Sequence, residues 1–318
     1  MNGYILVILE EMWDVNGLEI KISNSFAKYH PFVNFYYFVF IILCSMFFMH
    51  PVFLGISFVT SFIYSVFLNG TKAIKFNLLY MMPLLVLTAF MNPAFNHAGV
   101  TILFYLKNGN PITYESIAYG IASATMFISV IMWFSCYNAI MTSDKFIYIF
   151  GRIIPSLSLI FSMVLRFVPK YKNQIKIISN GQKAMGRDMS QGNIIRRAKN
   201  GIKIISILLT WALENAIETA DSMKARGYGL KGRTSFSIFK FYRRDKIMMG
   251  VLLVLSLIVI SGLIYGVNRI IYFPWIKLSR NTVFSFIVDI SYFLFAISPI
   301  ISDIIEEIAW RKINKIEG

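Results

Sequence analysis

From Pro31 to Thr71 the chain contains no Asp, Glu, Lys or Arg. His50-Pro51 punctuates that run, and the residue before a proline disfavours helix. The pattern predicts two apolar helices, about 32–49 and about 52–68, joined by a very tight turn, with Asn69-Gly70 ending the second. Each is close to the roughly 17 residues that a helix needs to cross a bilayer. Lys72 and Lys75 precede a third apolar stretch, about 78–95, with a kink expected at Pro83. Gly99 to Thr113 then changes character. Its first part, Val-Thr-Ile-Leu-Phe-Tyr-Leu, is β-rich, and Lys107-Asn-Gly-Asn-Pro111 is a turn, which predicts a small hairpin or a re-entrant loop. A fourth helix follows at about 116–141, with Glu115 at its mouth. Residues 247–267 form an uncharged fifth, and about 281–303 a sixth that carries Asp289 near its middle.

The centre of the chain, 144–246, breaks this pattern. Residues 146–165 are apolar but interrupted by Gly151, Arg152 and Pro155. Helical periodicity continues over 156–186 with Arg166, Lys170, Lys172, Lys176 and Lys183 added. After the Asp188–Asn193 break it resumes and runs to Arg226. At about 1.5 Å per residue that helix is roughly 50 Å long, against a hydrocarbon thickness of roughly 30 Å. Its apolar part, Ile204–Leu213, is too short to span, so these helices are expected across or beneath the bilayer face. Glu214 to Gly229 is the most distinctive part. Ala212, Ala216 and Ala220 recur every fourth residue, a small-residue stripe that lets another helix approach. Glu214 and Glu218 lie one turn apart on a neighbouring face. Ala225-Arg226-Gly227 puts a cation at the helix end, where the macrodipole favours it, before a glycine suited to a left-handed cap. Taken alone, Ala-Arg-Gly is an ordinary C-cap.

The expected organisation is a four-span membrane region (1–143), a central cytoplasmic or interfacial helical region (144–246), and two C-terminal spans with a short tail (247–318). Residues 1–28 read as an amphipathic lead-in. Glu10, Glu11 and Asp14 stand where a signal peptide would need basic and apolar regions. Composition agrees: 57% of the 318 residues are hydrophobic, too many for a water-soluble domain. The fold class is therefore an all-α polytopic membrane protein, with about six transmembrane helices and long central helices.

The formal net charge of +15 reads as topology. With the centre and both termini inside, the outside loops hold Lys107, Arg269, Lys277 and Arg280, and the remaining 27 of 31 Lys and Arg lie inside. This places the chain in the cell membrane with cytoplasmic termini. The central basic block suits anionic lipid heads or an acidic partner surface. It lacks the aromatic-basic platform that nucleic acid needs.

Candidate catalytic chemistry is sparse. Cys44 and Cys136 lie inside apolar segments and read as buried small hydrophobes, not as a disulfide or a metal site. His30, His50 and His97 are scattered. No Walker A sequence, G-x-S-x-G, H-E-x-x-H or paired-carboxylate site appears, and no inverted repeat is visible in the hydropathy. No cofactor and no enzymatic activity are expected. Asp289 is either a functional intramembrane acid or an acid facing the interior and bonded to Tyr, Ser or Lys. A stand-alone permease binding substrate between its own helices would have only Asp289 as a clear mid-membrane polar group.

Three stretches together resemble one family, the transmembrane T component of energy-coupling factor (ECF) transporters. Tyr29-His-Pro-Phe-Val-Asn-Phe35 is similar to its entry motif. Pro155-Ser-Leu-Ser-Leu-Ile-Phe-Ser-Met-Val-Leu-Arg-Phe-Val-Pro169 is similar to the start of its central coupling helix, and Glu214–Gly229 to the end of the next. The resemblance covers about Tyr29 to Ile264. It implies a non-catalytic coupling subunit that holds two ATP-binding cassette subunits, as a homo- or heterodimer, and a small substrate-binding membrane subunit, for vitamin or transition-metal-ion uptake. It implies ATPase docking at Ala225, Arg226 and Gly227 and at a first signature over Gln182-Lys-Ala-Met-Gly-Arg-Asp188. There Ala184 and Gly186 match the family, Met185 stands in the arginine position, and Lys183 and Arg187 flank it. Arg166, Pro169, Ala212, Glu214, Ala216, Glu218 and Ala220 are implied in coupling-helix packing.

Overall fold

The computed structural model describes residues 25–105, 109–151, 154–187, 193–228, 230, 239–279 and 282–317, the side chains of 155–158 and 310–317 apart. The lead-in expected over residues 1–28 falls outside the described residues as far as residue 24. The chain forms two compact units, one of residues 1–142 and 240–318 and one of residues 143–239.

The first unit begins with a 3-10 turn, Phe26–Lys28, and helix α1, Pro31–Phe47. His30 caps α1: Pro31 fills the first helical position, and the His30 ring Nδ1 accepts from the Phe32 N–H at 3.2 Å. His50 is extended, as a residue before proline should be, and helix α2, Pro51–Phe76, starts at once. Asn69-Gly70 was expected to end this helix. It does: Gly70 (φ 59°, ψ −141°) is non-helical, a conformation that a side chain would resist, and a second helix starts directly after it. A π-helical turn, Asn77–Met81, leads into α3, Met82–Phe95. Pro83, where a kink was expected, lies in the first turn of α3 directly after this π turn, a position at which the missing proline N–H costs no helical hydrogen bond.

Asn77 Nδ2 donates to Ser65 Oγ at 3.4 Å, and Phe58 and Phe62 of α2 and Leu84 and Leu85 of α3 pack against a shared cluster of Met81, Ile128 and Met132. The helical run Pro51–Phe95 is 45 residues long and apolar enough to cross a membrane. Strands β1 (Ile102–Tyr105) and β2 (Pro111–Thr113) form the expected hairpin, antiparallel with a bulge between Ile102 and Phe104. Glu115 fastens it, accepting from the Thr101 hydroxyl at 2.8 Å and the Thr101 N–H at 3.2 Å. Helix α4, Tyr114–Ile140, then lies against α2 and α3. At Gly120 the approach is close enough that a Cβ would stand 2.6 Å from the Ala89 carbonyl.

The C-terminal part of this unit holds α8, Arg243–Ile264, and α9, Val283–Glu317. Between them lies a second short hairpin, β3 (Ile270–Ile271) with β4 (Lys277–Leu278), which the hydropathy pattern does not signal. Because α9 runs well past residue 303, Asp289 falls within its first two turns and not at its middle. It accepts from Asn268 Nδ2 at 2.7 Å, across the loop that joins α8 to α9. Tyr37 is the centre of the core. Its ring stacks on Phe295 at 5.3 Å and meets Trp133 edge-on at 6.0 Å, and its hydroxyl donates to the Ala296 carbonyl at 2.8 Å. Trp133 Nε1 donates to Ser57 Oγ at 2.9 Å and Ser57 Oγ lies 2.6 Å from Ser45 Oγ, which links buried polar groups of α1, α2 and α4. Outward-facing apolar side chains are many, Phe47, Phe90 and Ile264 among them at 73%, 72% and 75% exposure. A surface of that kind is stable in lipid and not in water. Among the described residues, four helical runs are long and apolar enough to cross a membrane, and α1 is a shorter apolar helix of 17 residues. This is an all-α polytopic membrane protein.

The start of α1 is tied to the start of α8 and the later part of α9. Asp245 Oδ1 accepts from the His30 N–H at 3.2 Å and its Oδ2 from the Tyr242 N–H at 2.9 Å. Asp303 accepts from the Phe26 N–H at 2.7 Å. Asp245→Ala leaves two backbone donors without their carboxylate, a loss of about 3 kcal/mol at about 1–3 kcal/mol each. The expected result is an apparent Tm lower by about 5 °C or more in a detergent melt. An unchanged melt would show that water replaces the carboxylate at no cost.

Candidate docking surface of the central helices

The second unit contains α5 (Ser143–Gly151), α6 (Pro155–Ala184) and α7 (Ile194–Ala225). Among the described residues, none of the three carries a stretch apolar enough to count as a span. Asn193 is the N-cap of α7. Helices α6 and α7 meet around one polar-aromatic contact. Lys170 Nζ donates to Asn215 Oδ1 at 2.6 Å and sits 5.1 Å from the centre of the Trp211 ring, while Tyr171 meets Trp211 edge-on at 5.7 Å. On α7 the face turned to α6 therefore carries Trp211, Asn215 and Thr219, spaced by four. Ile204, two turns before Trp211, is the buried residue of that helix.

The two helix ends are built alike. At the end of α6, the Gly186 N–H donates to the Lys183 carbonyl at 3.0 Å and the Arg187 N–H to the Gln182 carbonyl at 2.9 Å, with Gly186 at φ 73°. At the end of α7, the Gly227 N–H donates to Lys224 at 2.9 Å and the Tyr228 N–H to Met223 at 3.0 Å, with Gly227 at φ 78°. Each is a complete Schellman motif, and glycine at the left-handed position is what permits it. Residue-by-residue equivalence follows. Lys183 corresponds to Lys224, Ala184 to Ala225, Met185 to Arg226, Gly186 to Gly227, and Arg187 to Tyr228. Both ends share Lys-Ala-x-Gly. Lys183, Ala184, Met185, Gly186 and Arg187 are all exposed, as are Lys224, Ala225, Arg226 and Tyr228.

The remaining candidate residues lie along the helices. Arg166 and Pro169 are exposed on α6, with Pro169 inside the helix. On α7, Ala212 is half-buried, while Glu214, Ala216, Glu218 and Ala220 are exposed. The alanine stripe thus lies beside the face that holds α6 and not on it. Next to it runs an apolar row, Ile202, Ile205, Leu209, Leu213 and Ile217, each at least 59% exposed. Spacing by three and four puts these side chains on one side of the helix. Lys170, Trp211 and Tyr228 belong to this architecture and were not singled out from sequence. Lys224, which can also pair with Asp221 one turn before it, is marked by the repeated Lys-Ala-x-Gly.

The protein-family model described as CbiQ, cobalt transport protein, matches residues 24–236. That is two thirds of the chain, from the turn before α1 to beyond the end of α7. The chain belongs to this family, the transmembrane T components of ECF transporters. Several relatives are described as energy-coupling factor transporter transmembrane protein EcfT. One from Lacticaseibacillus paracasei is 36% identical over 104 residues, 32% of this chain and 39% of that protein. One from Streptococcus thermophilus is 37% identical over 103 residues, 32% of this chain and 39% of that protein. A third, from Listeria monocytogenes and described as EcfT 1, is 28% identical over 204 residues, 60% of this chain and 73% of that protein. The matched stretch spans about two-fifths of the length of the first two relatives. In this T component α8 and α9 lie beyond the family match. Among the described residues no group of three His, Cys, Asp or Glu could hold a metal ion, and Cys44 and Cys136 are free and buried.

Proposed function

We propose that this T component couples two cytoplasmic ATP-binding cassette subunits to a separate small substrate-binding membrane subunit, for uptake of a vitamin or a transition-metal ion. The observation that carries the reading is the pair of matched helix ends. Two ATPase subunits of one fold call for two docking elements of one geometry, and Lys-Ala-x-Gly in a Schellman cap occurs at the end of both long central helices. Each end presents two exposed basic side chains, Lys224 and Arg226 on one, Lys183 and Arg187 on the other. An exposed guanidinium can pair bidentately with a carboxylate in a partner groove. The basic excess of the central region supports a cytoplasmic position for it, with both termini on the same side. The exposed apolar row and alanines of α7 support a helical membrane partner along that helix. A stand-alone permease is less well supported: Asp289, its one clear polar candidate, is already held by Asn268 near a helix end.

The test is co-expression with the cassette ATPases followed by purification of the T component. A stable complex is expected, and a T component that purifies alone under those conditions would overturn the reading. The first helix end has its own prediction. With Met185 in the arginine position, its charge comes from Lys183 and Arg187. Lys183→Ala with Arg187→Ala should weaken ATPase binding roughly tenfold or more, read as a shift in the binding isotherm. Unchanged affinity would mean that this end does not use charge.

A further inference from the structure

Strand β1 is apolar on both faces, and among the described residues nothing covers either face. Successive strand residues point to opposite sides, and Ile102, Leu103, Phe104 and Tyr105 are 45%, 52%, 55% and 64% exposed. A hairpin in water turns its apolar face inward and its polar face out, and this strand has no polar face. Its base is nevertheless firmly built. Glu115, 2% exposed, accepts from the Thr101 hydroxyl and N–H, and Thr113 Oγ1 donates to the Ala98 carbonyl at 2.7 Å. Gly99 passes so close that a Cβ there would stand 2.7 Å from Glu115 Oε2. The bare strand is thus tied to the first turn of α4.

The spans show where this hairpin stands. Strand β2 ends at Thr113, and the apolar span Tyr114–Ile140 starts at the next residue. The end of α3 meets the same turn, because Ser116 Oγ donates to the Asn96 carbonyl at 2.5 Å. The second hairpin lies at this end too. It joins the span Arg243–Ile264 to the span Val283–Ala309, and its Tyr272 packs against Leu54 and Ala122 and meets the Tyr119 ring edge-on at 5.4 Å. Each of the four apolar runs therefore has an end here, and the ends of apolar runs mark the edge of the hydrocarbon core. Exposed Tyr265 and Trp275 stand at this end as well, with Lys277 Nζ 5.1 Å from the Trp275 ring. Tyr and Trp favour the headgroup level, and a lysine beside them keeps its charge in water.

A docked protein covers one face of a hairpin, whereas lipid surrounds it. The bare strand is also continuous with outward apolar side chains of α3, Phe90 and Phe95, at 72% and 77% exposure. We propose that the β1–β2 hairpin is immersed in the headgroup and upper acyl layer of the bilayer, with the side chains of both faces of β1 in lipid, and anchors the first turn of α4 there. One edge of β1 is closed by β2, and at headgroup depth water reaches the other. This rests on neither ATPase docking nor the substrate-binding subunit.

The test uses the full chain in phosphatidylcholine vesicles without partner subunits, with an environment-sensitive fluorophore on Leu103→Cys or on Tyr105→Cys, one on each face. Cys44 and Cys136 are buried, so the unsubstituted chain is the labelling blank. Both labels should be quenched by nitroxide lipid and should lose quenching by aqueous iodide. Adding Phe104→Glu, at a position 55% exposed where the fold is kept, should restore iodide quenching to the label at 105 with circular dichroism unchanged. Iodide quenching of both labels without that glutamate would put the hairpin in water and overturn the proposal. Protection of one label only would mean a single covered face, and would overturn it too. Protection that begins only when the substrate-binding subunit is added would assign the hairpin to that partner. A label at 105 that stays in lipid despite Phe104→Glu would show that the apolar side chains do not hold the hairpin there, and would remove the anchoring role.

Discussion

Replacing Arg226 by Glu is expected to dissolve the complex with the ATPase subunits while leaving the T component folded. The cap at the end of α7 is made by backbone groups, with Gly227 donating to Lys224 and Tyr228 to Met223. The Arg226 side chain takes no part in those two bonds, so its loss does not open the helix end. A glutamate there opposes the helix macrodipole, a cost of about 0.3–1 kcal/mol at an exposed site. Docking is affected far more. Breaking one partner of a buried, hydrogen-bonded charge pair costs about 2–5 kcal/mol, and charge reversal adds repulsion to that loss. ATPase affinity should fall roughly 100-fold, enough to lose the complex on a column. Circular dichroism should show unchanged helicity. Arg226→Lys should fall between, because an ammonium keeps the charge and lacks the planar fork. A complex that survives Arg226→Glu, with transport intact, would remove the central claim about this helix end.

Much of this was legible in the sequence, and the exceptions have physical reasons. The apolar helices could be read because lipid-facing and core-facing residues are both hydrophobic, which makes each span a nearly continuous apolar run. The same uniformity hid which faces pack. Nothing in Ile202–Ile217 distinguishes a residue against α6 from one left exposed, and only coordinates put Trp211 and Asn215 on the inner side. Gly70 was read as a stop because Asn-Gly usually ends an element. That reading holds, since the non-helical Gly70 parts two helices; what composition did not show is that the next helix starts at once. Asp289 seemed mid-span because the sixth apolar run was closed at residue 303, whereas α9 extends to Glu317 with Glu306 and Glu307 on it. The tie through Asp245 and Asp303 was not legible at all. Its partners are backbone N–H groups of His30, Tyr242 and Phe26, and main-chain donors leave no mark on composition or spacing. The two helix ends lie between these cases. The resemblance put Met185 in the arginine position of a first signature, and only the structure shows that the two helix ends carry the same cap hydrogen bonds.

Introducing leucine at both Ala216 and Ala220 is expected to reduce transport at least roughly tenfold without releasing the ATPases. Both alanines are exposed and lie outside the face that α6 covers, so the change does not disturb the contact of Lys170 and Tyr171 with Trp211 and Asn215. What it alters is the profile of α7 beside Ile202, Ile205, Leu209, Leu213 and Ile217. A helix packing on that row would come close only where side chains are small. Two leucines would hold it several ångströms away and forfeit contacts along the whole interface. Overpacking of this kind costs about 1–3 kcal/mol per site, which is the source of the tenfold estimate. Serine at the same positions should be tolerated, since it preserves the small profile. The readout is uptake in vesicles alongside co-purification of the ATPases. Loss of uptake with the ATPases retained assigns the row to the membrane partner. Normal uptake with leucine at both sites would mean that no helix approaches this face, and the exposed row of α7 would then have to face lipid.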